Sequence, residues 1–193
     1  MNALSKINGL NLLLLVFMIV SLTVIKSQTL VELDKTPTPV ILKDDLGSRI
    51  NGEAWDSNIL KDKINLILYV APSQQDVIEP LLEKVNEQNY PKELFETTLI
   101  LNTSATWIPN SIIEGKVESK AEEDSSITYV LDKEEVLLEQ WNLSEDYPNI
   151  ILVDDNGKVS FISKEEFNEK IEGELLHQIE LEIEMNDNKG VRK

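Results

Sequence analysis

The chain has 193 residues, 41% of them apolar, and carries 18 Lys plus Arg against 35 Asp plus Glu, a formal charge of −17. That length fits one domain able to bury a core, and the charge excludes a nucleic-acid binder and docking on anionic lipid, both of which need excess cations. Cysteine is absent, which excludes disulfides, thiol nucleophiles, Cys-zinc sites and dithiol redox chemistry, and the single histidine excludes a multi-His metal site.

Lys6 and the amino terminus precede an apolar run over residues 10–25, interrupted by Asn11, Ser21 and Thr23. A basic flank followed by such a run predicts export. The run is shorter than the ~20 residues of a typical spanning helix. Ser27 offers a small residue for cleavage, although Ile25 departs from the A-x-A preference. Two outcomes stay open: a signal peptide removed after residue 27, or a retained membrane anchor. Losing residues 1–27 removes Lys6 and Lys26 and no acid, taking the charge from −17 to −19. Residues 28–185 then form one domain, and the polar residues 186–193, which lack periodicity, form a frayed tail.

Residues 29–33 alternate enough to predict a short edge strand, ended by Lys35-Thr36-Pro37-Thr38-Pro39. Residues 40–42 predict another, with Asp44-Asp45-Leu46-Gly47 as its turn. Residues 64–70, Ile-Asn-Leu-Ile-Leu-Tyr-Val, predict a central strand covered on both faces. Ser73 followed by Asp76 matches a capping box. Val77, Ile78, Leu81, Leu82 and Val85 recur at helical spacing to about Asn89, with Pro80 inside, where it removes a hydrogen bond and kinks the helix.

Residues 97–101 predict a second buried strand. A polar stretch over 102–126 follows, with one short helix near 114–122. Residues 127–131 predict a third strand and 136–138 an apolar return. Residues 149–153 and 158–162 flank Asp154-Asp155-Asn156-Gly157, whose Asn-Gly pair predicts a hairpin. A final helix starts near Lys164, with Phe167, Ile171, Leu175, Ile179 and Ile183 as its apolar stripe. This order predicts an α/β fold, a mixed sheet with helices on both faces.

The strand at 64–70, with Ala71-Pro72-Ser73-Gln74-Gln75 opening a Pro-containing helix, resembles the active-site strand, loop and helix of thioredoxin-like proteins. Leu131-Asp132-Lys133-Glu134-Glu135, Trp141-Asn142-Leu143 and the run from Tyr147-Pro148-Asn149 through Asn156-Gly157-Lys158-Val159 resemble the second half of exported thioredoxin-like and peroxiredoxin-like domains. Asn102-Thr103 and the strand ahead of it resemble the YtfJ family, exported bacterial proteins of thioredoxin-like fold. The resemblance implies a thioredoxin-like mixed sheet flanked by helices, with a C-terminal β-hairpin and helix. Redox-active thioredoxins open the helix with Cys-x-x-Cys; here the loop offers Pro72, Ser73, Gln74 and Gln75, and a serine hydroxyl neither ionises near neutral pH nor forms a disulfide. Dithiol exchange and thiol-peroxidase activity are excluded.

The resemblance implies a partner-binding groove formed by Ser73, Gln74, Gln75, Tyr147 and Pro148, which would accept an extended polypeptide. Pro148 stands where thioredoxin-like proteins carry a cis-proline; a cis bond turning the Tyr147 backbone outward and an ordinary trans-proline opening a strand are both open. Ser73-Gln74-Gln75 is either a polar recognition tip or a simple helix cap with two solvated glutamines. His177 falls off the apolar stripe and reads as a surface residue. Asp154-Asp155-Asn156-Gly157 lacks the spacing of an EF-hand loop and reads as turn chemistry. Trp55, Trp107 and Trp141 read as packing anchors, though a surface Trp107 beside Pro109 would mark a partner site.

The expectation is therefore a non-redox exported binding or assembly module without cofactor or metal, with exported polypeptides or envelope proteins as partners. Membrane contact would run only through residues 10–25 if these are uncleaved. The alternatives are a carboxylate-based envelope enzyme, needing two buried facing acids, and an anchored structural component of an envelope complex.

Overall fold

The computed structural model describes residues 30–190, with side chains through Asp187. The reading of residues 1–27 as signal or anchor lies outside the described residues, and among those described no helix is long and apolar enough to cross a membrane.

Ile41–Leu42 (β1) pairs antiparallel with Trp55–Asp56 (β3) in a small two-stranded sheet. The main sheet uses Gly47–Arg49 (β2), Ile64–Val70 (β4), Phe95–Asn102 (β5), Ile127–Asp132 (β6), Asn149–Val153 (β7) and Val159–Ser163 (β8), in the order β2-β6-β5-β4-β7-β8. The β4, β5 and β6 strands run parallel. The β2, β7 and β8 strands add antiparallel partners at the two sides, so the sheet is mixed as expected.

All seven residues of β4 are buried, which is why its sequence is almost continuously apolar rather than alternating. The pleat sends Ile64, Leu66, Leu68 and Val70 to one face and Ile67 and Tyr69 to the other. The first face is covered by Gln75–Glu87 (α1), Asn110–Glu123 (α2) and Glu169–Gly190 (α4). Ile78, Leu81 and Val85 of α1, Ile113 and Val117 of α2, and Ile171, Leu175 and Ile179 of α4 fill that layer. A Lys84–Glu172 ion pair ties α1 to α4 at its edge. The opposite face is closed by the short helix Val136–Trp141 (α3) with Val31, Val40, Leu42, Trp55 and Leu60. The hairpin between β7 and β8 forms as its Asn-Gly pair predicts, with Gly157 at φ +79° and the Asp154 carboxylate accepting from the Asn156 and Lys158 N–H groups.

Several expectations are corrected. Residues 30–33 form no strand; Val31 N–H bonds the Trp141 carbonyl and Asp34 N–H the Val159 carbonyl, so the segment is held by single tertiary contacts. Val77 of α1 is exposed rather than in the stripe. The polar stretch after β5 is mostly the 14-residue α2, in which two buried residues per helix suffice to seat it. Residues 136–138 belong to α3. The last helix starts at Glu169 because Asn168 caps it, its Oδ1 accepting from the Lys170 and Ile171 N–H groups at 3.0 and 3.2 Å. It runs on to Gly190, into the stretch read as a tail. Pro80 does sit within α1.

Candidate functional site

The loops that leave β4 and enter β7 meet because Tyr69 and Asn149 are register partners. Asn149 is buried and organises the second loop. Its Nδ2 donates to the Ser144 and Tyr147 carbonyls at 2.9 and 3.2 Å, and its Oδ1 accepts from the Ser144 N–H at 2.7 Å. The Ser144 hydroxyl in turn accepts from the Asp146 and Tyr147 N–H groups. Gln74 bridges the two loops: its Oε1 accepts from the Ala71 N–H at 2.9 Å and its Nε2 donates to the Glu145 carbonyl at 3.4 Å. The turn before α1 is therefore closed by Gln74. Ser73, expected as the cap, is exposed and caps nothing, because a short 3-10 turn at Pro72–Gln74 displaces it.

A cavity of about 310 Å³ opens between these loops. Tyr69, Ala71 and Gln74 form one wall, Ser144, Glu145 and Asp146 another, and Asn102, Ala105, Glu135 and Leu138 the rest. It lies at the carboxyl ends of β4 and β5, the end where open α/β sheets bind ligands. Its lining carries three carboxylates and no cation. Asn102 is buried, accepts from the Ser104 and Ala105 N–H groups, and donates to Glu135 Oε1 at 3.4 Å. Two residues beyond Ala105, Trp107 is 92% exposed.

Of the residues named from sequence, Gln74 lines this cavity. Ser73 and Tyr147 are exposed at its margins, Pro148 is buried, and Gln75 faces a separate slot between α1 and α2. No described peptide bond is cis, so the Tyr147–Pro148 bond is trans. His177 is exposed. Among the described residues no group of three or more acids or histidines is placed to hold a metal ion.

Sequence reasoning missed the buried pair below the cavity. Asp132, at 0% exposure, accepts from the Val136 and Leu137 N–H groups, both at 2.9 Å, from Glu134 at 3.4 Å, and from the Tyr69 hydroxyl at 3.3 Å. It is the cap that holds α3 against the sheet; an Asp four residues before an apolar helix was the available signal. Burial pushes the Asp132 carboxyl above the usual carboxylate range, against the opposing N–H donors. Burial and then the Asp132 charge hold the Tyr69 phenol far above its ordinary value. With its lone pairs engaged, Asp132 serves structure. The other buried acid among the described residues, Glu182, lies on α4 and accepts from Gln178 of the same helix.

A carboxyl raised in the folded state binds its proton more tightly there than in the unfolded chain. Its contribution to stability is therefore greatest below the ordinary carboxylate value and declines as pH rises through the folded one. Asp132→Ala should cost about 2–3 kcal/mol at pH 7, since buried N–H groups lose their acceptor. Urea unfolding at successive pH values should show that deficit widening between pH 8 and pH 4; a constant deficit contradicts the assignment.

A model of a bacterial protein family of unknown function, YtfJ_HI0045, matches residues 30–181. The uncharacterized protein YtfJ of Escherichia coli (strain K12) is 25% identical over 113 residues, which is 56% of this chain and 61% of that protein. The chain thus spans about three-fifths of the length of that curated relative. Among solved structures, the thioredoxin domain of a thiol-disulfide oxidoreductase from Bacteroides vulgatus superposes with a TM-score of 0.55 at 20% identity, covering 77% of this chain and 97% of that one. The pneumococcal exposed lipoprotein thioredoxin Etrx1 from Streptococcus pneumoniae gives 0.52 at 13% identity, covering 74% and 99%. A peroxiredoxin-like protein from Aquifex aeolicus gives 0.54 at 13%, covering 77% and 88%. At these identities the likeness establishes the fold alone, which is thioredoxin-like.

Proposed function

The chain belongs to the YtfJ_HI0045 family of bacterial proteins of unknown function, and on its thioredoxin-like fold without cysteine we propose a non-redox binding module that works outside the cytoplasm. Its partners are exported polypeptides or envelope proteins, taken as an extended segment across the groove between Gln74 and Tyr147. Export follows from the basic and apolar run ahead of Gln28.

The observation that carries this reading is Trp107. A tryptophan 92% exposed, on the loop that also supplies Ala105 to the cavity wall, leaves a large apolar surface in water, and tryptophan is among the residues most enriched at binding hot spots. Tyr147, 41% exposed, adds a second aromatic on the opposing loop. The acidic lining of the cavity favours basic over acidic partner segments.

A photo-crosslinking residue placed at position 107 should capture a discrete partner in the envelope fraction. With that partner purified, Trp107→Ala should weaken binding about tenfold or more, the loss expected of a hot-spot tryptophan, and Gln74→Ala and Tyr147→Ala should weaken it further. Unchanged affinity in all three variants would remove the groove from consideration. Recovery of the protein only in the cytosol would remove the export.

A further inference from the structure

A second cavity, of about 180 Å³, lies between α1 and α2 on the three-helix face of the sheet. Its floor is apolar: Ile78 and Leu82 of α1, Val117 of α2, Leu99 of β5 and Ile127 of β6. For scale, a dry apolar cavity of about 150 Å³ accepts benzene. The space here suits one ring with a short arm.

Tyr129 of β6 lines the same space and is 6% exposed, yet its hydroxyl has no hydrogen-bond partner among the described residues. Buried tyrosines normally find one. Unlike the Tyr90 hydroxyl, the Tyr129 oxygen keeps some contact with solvent. Around the slot stand Glu79, Glu83, Glu123 and Asp124, with Lys120 as the lone cation of its lining. Lys120 is already tied to Glu79 at 2.9 Å, and Asp124 accepts from Asn86 and Ser126. Glu83 and Glu123 have no ion pair among the described residues. Burial, then the charges of Asp124, Glu79 and Glu123, hold the Tyr129 phenol above its usual range, so it stays protonated and neutral.

We infer that this slot binds a small cationic amphiphile, an arylalkyl amine whose ring lies on the Ile78–Val117 floor and whose ammonium donates to the Tyr129 hydroxyl oxygen and the rim carboxylates. An apolar floor with a few convergent polar groups is the usual makeup of a small-molecule site. The Tyr129 hydroxyl offers an acceptor at the slot, and the exposed rim acids favour a donor that carries positive charge. An anionic ligand would meet four carboxylates, and a neutral one would gain nothing from them. The slot is separate from the groove at Gln74, so loss of one does not imply loss of the other.

Titration of the full chain with 2-phenylethylamine, followed by amide shifts, should give saturable binding with the largest shifts on α1, α2 and Tyr129. Its neutral counterpart 2-phenylethanol should bind at least tenfold more weakly, and ethylamine, which shares the charge but lacks the ring, should not saturate. Glu123→Gln and Tyr129→Phe should each weaken the amine severalfold. Val117→Phe, which fills the slot, should abolish binding; Leu82→Trp fills it from the half-buried wall if the first variant does not fold. Equal affinity for the amine and the alcohol, undiminished binding in a folded slot-filling variant, or no saturation by the amine would each overturn the assignment.

Discussion

Trp141→Ala should destabilise the protein by about 3–5 kcal/mol, the range of large aromatic truncations in cores, out of the roughly 5–15 kcal/mol that holds a domain folded. Trp141 is fully buried and packs edge-on to Trp55 at 6.3 Å between ring centroids. Its indole N–H donates to the Thr38 carbonyl at 2.8 Å. The ring is thus both the filling of the α3 layer and a fastening for the extended segment before β1. Truncation leaves a cavity against Trp55 and orphans the Thr38 carbonyl, and the neighbouring backbone closes such a gap only in part. Equilibrium unfolding in urea measures the loss, and in a Trp107→Phe background, where Trp55 is the remaining tryptophan, its emission should shift to the red as water reaches it. A loss under 1 kcal/mol would mean that α3 and the segment before β1 do not depend on this ring.

Gly47→Ala should cost about 3 kcal/mol, from strain at a positive φ together with lost pairing. Gly47 opens β2 at φ +130°, and an added Cβ would fall 2.0 Å from the Leu131 carbonyl oxygen. The atoms it would meet are all β6 backbone, with no flexible group to yield, so β2 must move off β6. Because β2 is a three-residue edge strand, the rest of the sheet should survive. Hydrogen exchange should show lost protection confined to the β2–β6 seam, at Ile50, whose N–H donates to the Tyr129 carbonyl, and at Lys133, whose N–H donates to the Leu46 carbonyl. Gly52→Ala is the control: at φ +86° with nothing within 4 Å, it pays the conformational term alone, about 1 kcal/mol. Equal losses at the two positions would show that the close approach at Gly47 is not what matters.

How far the sequence could be read varies along the chain with how local the stabilising contacts are. Ile64–Val70 was readable because a strand buried on both faces must be apolar throughout. The Asn156-Gly157 hairpin was readable because its turn demands a positive φ. In contrast, α2 hid in a polar stretch, since two buried side chains seat a helix that is otherwise solvated. Ser73 caps nothing because a 3-10 turn at Pro72–Gln74 precedes the helix, and Gln74 Oε1 instead closes that turn by accepting from the Ala71 N–H. The groove at Gln74 was half readable: the two loops follow from adjacent strands, but the part played by Asn102, Glu135 and Ala105 depends on β5 and β6 lying alongside. Trp107 shows the limit most plainly, since its sequence context allowed both core and surface.

By itself the amino-acid sequence determined the absence of thiol chemistry, the acidic charge, the central strand and the family pattern, since these depend on which atoms are present and on periodicity along one segment. The tertiary structure alone decided which tryptophan faces water, that Asp132 is spent on capping α3, and that Tyr129 is left without a partner above an apolar floor. Each of those outcomes is set by residues far apart in the chain, through burial and hydrogen-bond competition that exist only once the sheet is assembled.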